Sequence, residues 1–162
     1  MDNALELTMY GVSQLFLYPV LVAIGLSFLY AFYALGAFGW QALARRRGRP
    51  GGFDLRAARA RDPGLSLAEL EGVAVARLEL VRLVSRVAPM LGLVATMIPM
   101  GPALKALGEG QMNQVSQSLT VAFSAVILAL IAASITYWVA NVRRRWYACE
   151  LAAIEKAQGV AP

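Results

Sequence analysis

The sequence predicts an all-α membrane protein with three transmembrane helices, the second extended into the cytoplasm and paired with the third as an antiparallel hairpin. Two observations predict this. Residues 7–44, 87–104 and 111–142 contain no charged side chain, and arginines close the first and third of these runs as Arg45-Arg46-Arg47-Gly48-Arg49 and Arg143-Arg144-Arg145. A hydrocarbon core of about 30 Å needs about 20 apolar helical residues. Residues 15–40 and 115–142 exceed that length, and 87–104 just reach it. In a chain of 162 residues that is 59% hydrophobic, this makes one compact helical domain with no soluble core required.

Charge placement orients the spans. Segment 45–86 holds ten Lys and Arg and the tail 143–162 holds four, whereas 1–14 holds none and the outer end of the second span holds only Lys105. Positive flanks stay cytoplasmic. The expected order is an outside segment 1–13, a first span 14–40, a cytoplasmic basic linker and helix 41–86, a second span 87–107, an outside loop 108–114, a third span 115–142 and a cytoplasmic tail 143–162. The pI of about 9.8 therefore reports topology in a cytoplasmic (inner) membrane. It does not indicate a nucleic-acid partner, because the arginines cluster where insertion requires them. Their attraction to the headgroups of membrane lipids is a general benefit. The acidic start Met1-Asp2-Asn3-Ala4-Leu5-Glu6 and the long run after it do not fit a cleavable signal peptide. A single cysteine, Cys149, excludes an internal disulfide or a metal cage, and no cofactor is indicated.

The first span carries eight of the fifteen aromatics: Phe16, Tyr18, Phe28, Tyr30, Phe32, Tyr33, Phe38 and Trp40. Large rings on several faces suit a helix that meets lipid on much of its circumference, with Trp40 placed as an interfacial anchor. Pro19 is expected to bend this helix without ending it. Residues 45–65, with Gly48, Pro50-Gly51-Gly52 and Pro63-Gly64 among arginines, read as turn and linker. Ser66-Leu67-Ala68-Glu69 fits a capping box. Leu67, Leu70, Ala74, Leu78 and Val81 follow at helical spacing, so one helix is expected from about Leu67 into the second span. Pro99 and Pro102 predict a kink or a loosened last turn near its outer end. The short link Gly108-Glu109-Gly110-Gln111 makes the second and third spans a hairpin.

At 100° per residue, Ser116, Thr120, Ser124 and Ser134 share one face of the third span, with Ile127 and Ile131 between them. Ser118, Ala122, Ala125, Ala129, Ala132, Ala133, Thr136 and Ala140 share the opposite face. Small residues such as Ala125, Ala129, Ala132 and Ala133 let another backbone approach closely and serve helix packing. The hydroxyls have two readings. They bond back to carbonyls of their own helix or join neighbouring helices, or they line a narrow pore that holds water or an ion. Intramembrane proton carriers are ionisable, and the spans contain none, so a proton pathway here needs a carboxylate from a partner. Histidine is absent, and no nucleophile–base or metal constellation is present, which argues against an enzyme. A small transporter lacks an inverted repeat on which to build a substrate site.

The stretch Ala88-Pro89-Met90-Leu91-Gly92-Leu93-Val94-Ala95-Thr96 resembles the second-helix signature A-P-x-[LI]-G-L-x-G-T of the MotA/TolQ/ExbB proton-channel family. Ser118-Leu119-Thr120-Val121-Ala122-Phe123-Ser124-Ala125-Val126 loosely resembles its third-helix segment A-L-x-x-T-A-x-G-L. The topology is similar to the TolQ/ExbB branch. The likeness covers about residues 66–145 and the first helix only by position. It implies a pore-ring subunit of an ion-driven energy-coupling motor, in which a homopentamer surrounds two copies of a single-span ExbD/TolR/MotB-like protein whose intramembrane Asp carries the proton. Thr96 falls on the family's second-helix threonine. In strict register the third-helix threonine falls on Ala122, on the small-residue face, between Thr120 and Ser124. Both faces therefore stay open as the pore lining, and the candidate pathway residues are Thr96, Ser116, Thr120, Ala122, Ser124 and Ser134. The chain departs from the family pattern at Ala95, where the family has glycine, at Pro99-Met100-Gly101-Pro102, at Gln117 in place of an acid, and in a short segment 45–86. The rival expectation is a non-conducting structural or adaptor protein that oligomerises through its small-residue faces.

Overall fold

The computed structural model describes residues 2–48 and 52–159; Arg49, Pro50 and Gly51 of the expected linker, with Met1 and residues 160–162, lie outside the described residues. Among the described residues the elements are four helices: α1 (Asp2–Arg46), α2 (Asp54–Arg61), α3 (Leu67–Gly108) and α4 (Met112–Gly159). Three of them, α1, α3 and α4, are each long and apolar enough to cross a membrane. α1 already begins at Asp2, ahead of the expected first span, and α4 carries the third span without interruption through most of the tail. Pro19, Pro89, Pro99 and Pro102 all lie inside continuous helix. Proline is tolerated inside a membrane helix because neighbouring helices, hydroxyl side chains and local adjustments re-satisfy the freed carbonyls.

The helix ends follow their sequence signals. Gly48 adopts φ 65° and its N–H donates to the Arg45 carbonyl at 3.0 Å, closing α1 with the residue type that tolerates this conformation. Gly110, at φ 75°, closes α3 in a Schellman arrangement: the Gln111 N–H donates to the Ala106 carbonyl at 2.8 Å and the Gly110 N–H to the Leu107 carbonyl at 3.1 Å. The capping box at the start of α3 forms as expected. The Ser66 N–H donates to Glu69 Oε2 at 2.7 Å, and the Glu69 N–H donates to Ser66 Oγ at 3.3 Å. The Ser66 backbone and hydroxyl donors hold the Glu69 carboxyl below its ordinary value.

Residues 45–65 differ from the expected plain linker because α2 lies within them. Asp54-Leu55-Arg56-Ala57-Ala58-Arg59-Ala60-Arg61 is built from strong helix formers, and glycines and prolines on either side confine it to eight residues. Pro63 ends it: Asp62 takes an extended conformation, φ −133° and ψ 95°, as the residue before a proline prefers.

The helices pack as two compact units, one of Met1–Tyr30 with Val84–Ser134 and the other of Ala31–Leu83 with Ile135–Pro162. In the first, the core is Val20 and Ile24 of α1, Ala95 of α3 and Ala125 and Ala129 of α4, with Leu21 and Leu91 at its edge. Three of the five buried members are alanines, so close helix approach rather than bulk fills this core. In the second, Leu55 of α2 packs with Leu70, Ala74 and Leu78 of α3 and with Tyr147 and Ile154 of α4.

Candidate ion pathway

Within the first unit, the small residues of α4 turn inward. Ala122, Ala125, Ala129, Ala132 and Ala133 are all buried, and Ala129 and Val126 face Gly92 of α3. A Cβ built at Gly92 would stand 3.0 Å from the Ala129 Cβ and 3.6 Å from the Val126 Cα. A side chain at this position of the α3 signature would press on its neighbours by a few tenths of an ångström. Ala95 is buried beside Ala125 and Ala129 in the same core.

The hydroxyl face of α4 points the other way. Ser116, Thr120, Ser124 and Ser134 are exposed, as are Ile127 and Ile131 between them. Thr120 Oγ1 donates to the Ser116 carbonyl at 2.8 Å, Ser124 Oγ to the Thr120 carbonyl at 2.8 Å and Ser134 Oγ to the Leu130 carbonyl at 2.8 Å. Thr96, half-buried on α3, donates in the same manner to the Leu93 carbonyl at 2.7 Å. The hydroxyl protons of Thr96, Thr120, Ser124 and Ser134 are thus held by their own helices, and a hydroxyl oxygen keeps two acceptor lone pairs. The row along α4 is consequently a ladder of outward acceptors. It can take a hydrogen bond from a protonated carboxyl, a hydronium or a water, and it can coordinate a small cation. It cannot itself release a proton at ordinary pH. Of the candidate pathway residues, the structure brings Ser116, Thr120, Ser124 and Ser134 to one exposed face and places Ala122 on the buried one.

The second unit holds a polar cluster that inspection of the sequence missed. Glu150, buried at 3% exposure, pairs with Arg45 and accepts the Leu55 N–H at 2.9 Å. Phe53, at the N-cap of α2, has no side-chain oxygen to offer, so Glu150 supplies from α4 the acceptor that the helix start requires. Asp54 accepts from Gln41 Nε2 at 2.7 Å and from Tyr147 OH at 3.0 Å, and pairs with Arg77 at 3.0 Å. Arg45 also donates to the Gly52 carbonyl at 2.6 Å and lies 4.5 Å from the Trp146 ring centroid. A Cβ at Gly52 would fall 2.6 Å from the Arg45 backbone nitrogen, so only glycine fits there. α2 is therefore fastened by contacts from α1, α3 and α4. The available signal was Glu150 itself, a lone acid at helical spacing among Tyr147, Leu151 and Ile154. Among the described residues no group of His, Cys, Asp or Glu could hold a metal ion.

Comparison with curated proteins and with solved structures finds no match. The match that is found runs over residues 65–156, more than half of the chain, and takes in nearly all of α3 and α4. On that match, together with three helices able to cross a membrane, this multi-pass membrane protein belongs to the MotA/TolQ/ExbB proton channel family.

Proposed function

We propose that the chain is the pore-ring subunit of an ion-driven, proton-coupled motor complex of the TolQ/ExbB kind. Five copies surround two copies of a single-span ExbD/TolR/MotB-like partner in the cytoplasmic membrane. The N-terminus is outside and the C-terminus cytoplasmic, with α3 extending into the cytoplasm and running antiparallel to α4. The family is one of membrane proton channels and not of enzymes. The observation that carries the reading is the exposed acceptor ladder of Ser116, Thr120, Ser124 and Ser134 on a span with no ionisable side chain. Such a face gives a protonated carboxylic acid on a neighbouring helix successive oxygens to bond while it sheds or gains its proton. Thr96 adds one more oxygen from α3.

The family-register position Ala122 offers no oxygen and is buried, which favours the hydroxyl face as the lining. The adaptor alternative required an alanine face free to meet other copies. Ala125, Ala129, Ala132 and Ala133 are instead buried within the chain, so no observation favours that alternative. The test is proton flux through proteoliposomes that hold the complex with its partner, comparing wild type with Thr96→Val and Ser124→Ala. Flux is expected to fall about tenfold in the double variant with assembly intact, a loss of about 1.4 kcal/mol in transition-state stabilisation. Unchanged flux removes these residues from the pathway.

A further inference from the structure

We infer that α4 carries a binding site for the headgroup of an anionic phospholipid, built from Asn141, Arg144, Arg145 and Ala148. These four residues line an open hollow of about 380 Å³ in the second unit. Their spacing along one helix, at i, i+3, i+4 and i+7, stacks them on one face. Two guanidiniums and an amide supply donors, and the small Ala148 side chain leaves the room between them. Arginine is the side chain whose planar fork matches phosphate oxygens two at a time.

The level of the hollow selects a lipid over a soluble anion. The charge-free run ends at Val142, and α4 continues as helix with a rise of about 1.5 Å per residue. Arg144 and Arg145 thus stand about 3–5 Å past the apolar boundary, inside a headgroup layer about 5–8 Å deep, and Ala148 about 9 Å past it, at the outer edge of that layer. Tyr137, one turn before Asn141 on the same face, is 64% exposed and sits where interfacial aromatics gather. A second arginine-lined hollow, with Arg56, Arg59 and Ile154 in its wall, lies at least 16 Å beyond the boundary along α4, out of reach of the bilayer.

The partners of the arginines point the same way. Arg45 and Arg77 are neutralised by Glu150 and Asp54. Among the described residues Arg144 and Arg145 have neither an ion pair nor a hydrogen bond, although both are exposed beside each other. Adjacent like charges repel, and a doubly coordinated phosphate relieves that repulsion. The inference rests on the reading of 111–142 as membrane-crossing but not on conduction or on a partner.

The test is native mass spectrometry of the full chain released from nanodiscs of phosphatidylcholine doped with phosphatidylglycerol. Wild type is expected to retain phosphatidylglycerol in preference to phosphatidylcholine. Arg144→Gln with Arg145→Gln is expected to weaken that retention about 30-fold, from two arginine contributions at the membrane surface. Arg59→Gln with Arg61→Gln, which removes the same charge elsewhere, is expected to leave it within about twofold of wild type. Arg144→Lys with Arg145→Lys is expected to keep part of it, showing that the site still folds. Equal loss in both glutamine pairs means diffuse attraction and overturns the site. Displacement of the lipid by inorganic phosphate at millimolar concentration overturns the lipid as its occupant. The exposed Cys149 checks the membrane placement separately: labelling by a water-soluble maleimide in nanodiscs is expected. Protection of Cys149 from that reagent puts this stretch of α4 inside the bilayer and overturns the depth on which the site depends.

Discussion

At the scale of single residues, Gly92 shows how little space separates α3 from α4. A methyl group there would meet the Ala129 methyl at 3.0 Å, closer than two carbons sit at optimal separation. Gly92→Ala is expected to lower stability slightly, because its neighbours must give by tenths of an ångström. Gly92→Leu is expected to cost about 1–3 kcal/mol, the range for inserting bulk into a packed core. Thermal unfolding in detergent, followed by size-exclusion profile, measures both. Ala129→Gly should restore part of the stability of Gly92→Ala by removing the opposing methyl, and absence of that rescue would place the strain elsewhere. The two faces of α4 were readable in advance because a regular helix converts spacing directly into direction. Burial separates the alanines from Ser116, Thr120, Ser124 and Ser134 along that division. The back-bonding of the hydroxyls was one of two readings of the same letters, since Ser and Thr bond equally well to their own carbonyls or to a neighbour. Only the placement of each hydroxyl in the fold distinguishes them.

At the scale of elements, α2 is the feature that spacing along the chain could not disclose. Its eight residues are too few to be stable alone, since isolated helices shorter than about 12–15 residues are marginal. What holds it is long-range: Leu55 to Glu150 spans 95 positions and Tyr147 to Asp54 spans 93. No local pattern records such contacts, whereas the ends of α3 are set by the local chemistry of Ser66, Glu69 and Gly110 and were largely legible. If Glu150 is the fastening, Glu150→Gln should release α2 while leaving the spans folded. Removing one partner of a buried ion pair leaves the other charge uncompensated and typically costs about 3–5 kcal/mol. Arg56, Arg59 and Arg61 lie within α2 and report its release as tryptic sites. Cleavage there is expected to accelerate at least about tenfold in Glu150→Gln, because proteolysis follows the population of the opened segment. Equal cleavage rates in variant and wild type would show that Leu55 and Asp54 hold α2 without Glu150.

At the scale of the whole molecule, on the proposed reading, the charge-free runs and the hydroxyl ladder are an incomplete device. A proton crossing a bilayer needs groups that bind and release it, and intramembrane carriers are ionisable side chains. Residues 7–44, 87–104 and 111–142 contain none, yet the chain belongs to a proton channel family. Hydroxyl oxygens can guide a proton along the path but cannot hold it as a titrating site. A carboxyl group from another chain closes this gap most economically, since beside Thr120 and Ser124 its protonated form would find acceptors for its O–H without a competing cation. The expected result is that the chain, tagged and purified from its native membrane, brings with it a single-span protein bearing an intramembrane Asp. Changing that Asp to Asn should abolish proton flux in the reconstituted complex while the two chains still co-purify. Recovery of a homo-oligomer alone, with flux intact, would mean that water ordered by the hydroxyl ladder suffices and that the partner is dispensable.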